Sequence, residues 1–100
     1  MNKYEEAQEL IEQARLLRGT SHVAAKALFL RAADIHRDFI RTLVDKPKTL
    51  GVYGLSAASL YVQAEELDKA ESLIRGLLSM QITPYDKKRL KELLDSIAKV

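Results

Sequence analysis

Apolar residues recur along the chain at intervals of three and four, and no stretch alternates with the period of two that marks a half-buried strand. The pattern predicts an all-α fold of five helices. The first runs from about Asn2 to Arg18, with Ala7, Leu10, Ile11, Ala14 and Leu17 on one face and Glu5, Glu9 and Glu12 outside, and Gly19 ends it. The second follows Thr20 or Ser21, either of which can cap free amides, and runs to about Asp45, where Lys46-Pro47 forbids continuation. At the usual rise it would be about 37 Å long. Its first half, from Val23 to Ala33, is apolar on most sides and suits the centre of a fold. Its second half narrows to Ile35, Phe39, Ile40 and Leu43 and is expected to project, with the stretch from Ile35 to Val44 resting on a neighbour.

The third helix, from about Thr49 to Glu65, is hydrophobic nearly all round, as a sandwiched helix is. The fourth opens on Asp68-x-x-Glu71, an acidic variant of the capping box, carries Ala70, Leu73, Ile74, Leu77 and Leu78, and ends near Met80. Thr83-Pro84 starts the fifth, a cap followed by a proline where no amide hydrogen is missed. Its narrow stripe of Leu90, Leu93, Leu94 and Ile97 suits a lid. Connections of about two to five residues make consecutive helices antiparallel. The expected organisation is one domain over residues 1–100, with hairpin 1 over about 2–45, hairpin 2 over about 49–80 and a capping helix over about 84–99.

The second hairpin carries Ala58, Tyr61, Ala70 and Ile74 at spacings that interlock two antiparallel helices, and the first echoes them with Ala14, Leu17, Ala25, Phe29 and Ala32. The pattern resembles the tetratricopeptide repeat, a 34-residue helix-turn-helix unit. Leu77 stands where that family has a second small residue, Pro84 comes late, and the interval from Ala25 to Ala70 is 45 residues because helix two is long. The resemblance implies two tetratricopeptide-like hairpins and a capping helix in a non-enzymatic module that binds a protein or peptide partner. Two repeats and a lid are few for a solenoid whose units lean on one another, so a homodimer that extends the stack is a further expectation. In that family the first helices of the hairpins line a groove. By position the groove here comprises Ile11, Arg15 and Arg18, then Leu55, Ser59, Val62 and Gln63. Leu55 and Val62 with the two arginines at one end suit an apolar segment with an acidic flank.

Two other resemblances compete. Arg31-x4-His36 matches the arginine-histidine spacing of HEPN ribonucleases, although residues five apart on a helix lie about 140° apart and converge only across a second helix. Ala25-x2-Leu28-Phe29 with Ala32 also resembles the MIT domains, three-helix peptide-binding modules.

Composition narrows the function further. With 47% apolar and 30% charged residues in 100, the chain has the make-up of one globular domain. It has no cysteine, which excludes disulfides, thiolate metal sites and a cysteine nucleophile and agrees with a cytoplasmic location. The start Met1-Asn2-Lys3-Tyr4 lacks an apolar signal core, and no window approaches the ~20 apolar residues of a membrane span. The net charge of +2 is uneven: residues 15–48 hold eight Lys or Arg against three Asp, and residues 1–14 one Lys against four Glu. That dipole can steer an acidic partner but is weaker than the basic stripe of a nucleic-acid binder, so nucleic acid is not the expected ligand. His22 and His36 lack carboxylates at ligand spacing, Ser21, Ser56 and Ser59 lack a base, and Gly51 and Gly54 lack a phosphate-loop context. No metal, cofactor or catalytic residue is expected. The two glycines read as a loosened helix start or a close helix crossing.

Overall fold

The computed structural model describes residues 2–99; Met1 and Val100, the ends of the expected domain, lie outside the described residues. Among those described there are five helices and no strand: α1 (Lys3–Leu17), α2 (His22–Ile40), α3 (Pro47–Gln63), α4 (Leu67–Leu78) and α5 (Pro84–Ala98). Each packs on its successor, and α5 lies across both α3 and α4. The result is a slab of 39 × 37 × 18 Å, about two helices thick. In it α2 is seated between α1 and α3, and α3 meets α2, α4 and α5.

Local chemistry starts and stops these helices. Asn2 Oδ1 accepts the Glu5 amide at 2.8 Å, Ser21 rather than Thr20 caps α2, and Thr83 Oγ1 accepts the Asp86 amide at 3.2 Å. Helix α1 closes at Leu17, ahead of Gly19, through bonds from the Thr20 and Ser21 amides to the Leu17 carbonyl.

Helix α2 stops five residues before the expected Asp45. The Thr42 hydroxyl and amide both bond the Phe39 carbonyl, at 2.7 and 3.0 Å, and bonds from Leu43 to Ile40 and from Lys46 to Leu43 carry the chain round a turn. That turn buries Ile40 and Leu43 in the core, so the expected projecting end does not exist. Pro47 is then the first residue of α3, two residues before the expected start, where its missing amide hydrogen costs nothing.

Helix α4 is not opened by the expected capping box. Its N-cap is Glu66, with no side-chain cap, Asp68 lies inside the first turn, and Glu71 Oε1 accepts from Arg75 Nε instead. The reason lies one residue upstream. Glu65 adopts φ 59°, and the Glu66 and Glu65 amides bond the Tyr61 and Val62 carbonyls at 2.9 Å each. This is a Schellman closure of α3 with glutamate in the left-handed position that glycine usually takes. It sets where α4 begins, and α4 ends at Leu78, short of Met80.

Two clusters make up the core. The first gathers Leu10, Ile11, Ala14, Ala25, Phe29, Ala32, Leu60 and Tyr61 among others from α1, α2 and α3; the second gathers Ile40, Leu43, Leu50, Ala58, Ile74, Leu77, Ile82 and Leu90. Small residues let the backbones approach. A Cβ on Gly54 would stand 2.7 Å from Leu77 Cδ1, and one on Gly51 would collide with the Asp86 carboxylate, so both glycines mark close helix crossings.

Candidate functional site

The expected groove residues do not form one continuous surface. Ile11 is 7% exposed and belongs to the first core cluster, while Val62 and Leu55 are half-buried against the first and second clusters respectively. Ser59 is half-buried, and Arg15, Arg18 and Gln63 are exposed. Arg15 faces Glu12 at 3.8 Å. Arg18 and Gln63 do come together: Arg18 Nη2 donates to Gln63 Oε1 at 2.7 Å, and the guanidinium lies 5.1 Å from the centre of the Phe29 ring.

Arg18 and Gln63 line a 330 Å³ hollow with His22, Ala25, Lys26 and Phe29. The cations around it are largely matched from within. Glu65 reaches Lys26 at 2.9 Å and His22 at 3.2 Å, and the bond with Lys26 holds its carboxyl below the usual range. At the opposite end of α1 and α3 the space is filled by Tyr4, His36, Phe39 and Tyr53, whose rings pack with centroid separations of 5.0 to 6.5 Å and leave a void of only 10 Å³. The gap between α1 and α3 is therefore bridged at both ends by side chains.

His36 of the arginine-histidine pair lies within that aromatic packing. His36 is 4% exposed and neither ring nitrogen has a hydrogen-bond partner, so burial lowers its pKa. Arg31 points to solvent, 3.8 Å from Glu6. The two do not converge. Among the described residues no cluster of His, Asp or Glu is arranged to hold a metal ion, and no helix is long and apolar enough to cross a membrane.

A larger opening lies between α2 and α4. No Cα of α2 comes within 8 Å of one in α4, so these helices stand further apart than packed helices do and leave a groove of 610 Å³. Leu50 and Tyr61 of α3 form its floor. Arg37 and Ile40 of α2, with Arg41 and Val44 just beyond it, make one wall, and Asp68, Lys69, Ser72, Leu73, Gly76 and Leu77 of α4, with Met80 just beyond it, the other. The lining is mainly apolar, and Val44 and Met80 are 60% and 41% exposed.

In the floor, Tyr61 is 1% exposed and its hydroxyl donates to Asp34 Oδ1 at 2.6 Å; burial first and this bond second raise its pKa well above the usual 10.0. Asp34 and Asp38 hold Arg37 at 3.7 and 3.4 Å. Sequence reasoning missed this groove. Its one local sign is Gly76, a glycine inside a helix with nothing within 4 Å of where its Cβ would be.

Comparison with protein-family models, curated proteins and solved structures gives no match.

Proposed function

We propose that the protein is a non-enzymatic, tetratricopeptide-like interaction module that holds a segment of a partner protein in the groove between α2 and α4. The observation that carries this reading is the exposure of Val44 and Met80 at a 610 Å³ apolar groove. Exposed apolar surface gathered in one concavity is what a binding site retains against the tendency to bury it. The burial of Ala14, Ala25, Phe29, Ala32, Ala58, Tyr61, Ala70 and Ile74, each carrying the repeat pattern, supports the tetratricopeptide-like reading. The groove differs from the one that resemblance implies, because it lies between the second helices of the hairpins.

A photo-crosslinking residue placed at Val44 or Met80 in the cells of origin tests the proposal. It is expected to capture a defined polypeptide that the same probe at Arg18 or Gln63 does not. Capture confined to Arg18 and Gln63 would move the site to the α1–α3 hollow, and capture at neither pair would remove the interaction reading.

A further inference from the structure

Resting on that reading of the groove, we infer that its occupant is an amphipathic helix of about three turns with carboxylates flanking its apolar stripe, packed backbone-close against Gly76. Three observations lead there.

The first is the shape and chemistry of the walls. Leu50 and Tyr61 are eleven residues apart on α3, so the floor is about 17 Å long. Both walls are helices, whose central backbone groups are already bonded within themselves. An extended peptide laid between them would meet no sheet edge and would leave its own amides and carbonyls unpaired in an apolar trough. A helix brings its backbone bonds with it, and the gap between α2 and α4 is wider than direct helix packing.

The second is Gly76. Glycine inside a helix costs stability relative to alanine. Gly51 and Gly54 are pressed against Asp86 and Leu77, but Gly76 has an ordinary helical backbone and meets nothing within 4 Å. Nothing inside the chain calls for a bare backbone at this point of the groove wall. A partner helix crossing there does.

The third is charge. The lining holds Arg37, Arg41 and Lys69 against the single carboxylate of Asp68. Arg37 is held by Asp34 and Asp38, but Arg41 reaches only exposed Asp38 at 3.9 Å, and Lys69 has no carboxylate within 4.0 Å among the described residues. Arg41 follows the C-terminal end of α2 and lines the groove with Met80, which follows α4, while Lys69 stands in the first turn of α4. The groove thus offers a cation toward each end.

The test is selection from a displayed library of helical peptides of about 18 residues, with leucine fixed at i, i+3, i+4 and i+7 and the flanks randomised. Enriched peptides are expected to carry Asp or Glu beside the stripe. Their affinity should fall about tenfold, the equivalent of ~1.4 kcal/mol, in Gly76→Leu and in Arg41→Glu/Lys69→Glu, and should be unchanged in Arg18→Ala. Circular dichroism of these exposed-site variants confirms that each is folded.

Neutral or basic flanks on peptides still blocked by Gly76→Leu would overturn the acidic partner and leave the groove reading standing. Peptides indifferent to Gly76→Leu and Met80→Glu would overturn both, as would a failure to enrich any sequence. A concentration-dependent dimer dissolved by Gly76→Leu would make the occupant a second copy and overturn the inferred partner.

Discussion

Leu77 of α4 occupies the space that Gly54 of α3 leaves by having no side chain, with its two methyl carbons 2.7 and 2.8 Å from where a Cβ would stand. Leu77 is among the largest fully buried side chains, so it has little room to swing aside. The large residue that departs from the repeat pattern is thus accommodated by a missing side chain on the facing helix.

Gly54→Ala and Gly76→Ala should accordingly have opposite signs. Both gain about 1 kcal/mol of helix propensity. At position 76 nothing opposes the gain, so stability in denaturant should rise by about 0.5–1 kcal/mol. At position 54 overpacking against Leu77 costs about 1–3 kcal/mol, and the net should be a loss. Combining Gly54→Ala with Leu77→Ala should cost less than the sum of the single changes. Additive costs would mean that the two residues do not share the space.

The Tyr61 hydroxyl ties α3 to α2 through Asp34. Tyr61→Phe should lower stability by about 1 kcal/mol, because Asp34 is partly exposed and water replaces the lost donor. Its phenol is also held above the ordinary 10.0 by burial and by Asp34. The folded state keeps a proton that the unfolded state loses, so this contribution is present below pH 10 and is lost as pH climbs beyond it. An alkaline titration followed by phenolate absorbance should show one tyrosine ionising only as the protein unfolds; Tyr61→Phe should remove that step.

Helix number and type were legible wherever the signal is local. Thr83 and Pro84 start α5 as their chemistry requires, and Ala14, Ala25, Ala32, Ala58 and Ala70 are buried as their spacing implies. The end of α2 was not legible, because a run without glycine or proline reads as helix. What stops it is the Thr42 hydroxyl on the Phe39 carbonyl and the burial of Leu43 in a distant cluster. The start of α4 was hidden for a related reason, since a glutamate at φ 59° gives no compositional sign of the left-handed turn it makes. The groove depends on the separation of α2 and α4, and its most exposed apolar residues, Val44 and Met80, lie beyond the helix ends and outside any helical periodicity.

The start of α5 meets α3 through Asp86. Its Oδ2 accepts the Thr83 hydroxyl at 2.8 Å, its amide returns a bond to Thr83 Oγ1, and its carboxylate rests on Gly51 of α3. Asp86→Ala should cost about 1 kcal/mol through the lost first-turn bond. Gly51→Ala should lift the start of α5 from α3, seen as faster amide exchange in α5 than in α1. Uniform exchange in the two helices would mean that α5 is held by Leu90 and its neighbours alone.

His36 should give the fold a dependence on mild acid. Lys3 and Tyr4 approach it from α1 and Tyr53 from α3, Arg37 follows it on α2, and no carboxylate lines the same void, so an imidazolium there would have no counter-charge. Burial lowers its pKa in the folded state, whereas the unfolded chain takes up the proton near 6.5. The contribution is therefore present above pH 6.5 and is lost as pH falls below it, at a slope no steeper than ~1.4 kcal/mol per pH unit. His36→Phe keeps an aromatic ring against Tyr4 and Tyr53 and has nothing to protonate. Melting temperatures measured between neutral pH and pH 5 should fall for the parent and fall less for this variant. Parallel curves would show that His36 accepts a proton without cost, which would require the Tyr4–Tyr53 packing to open around it.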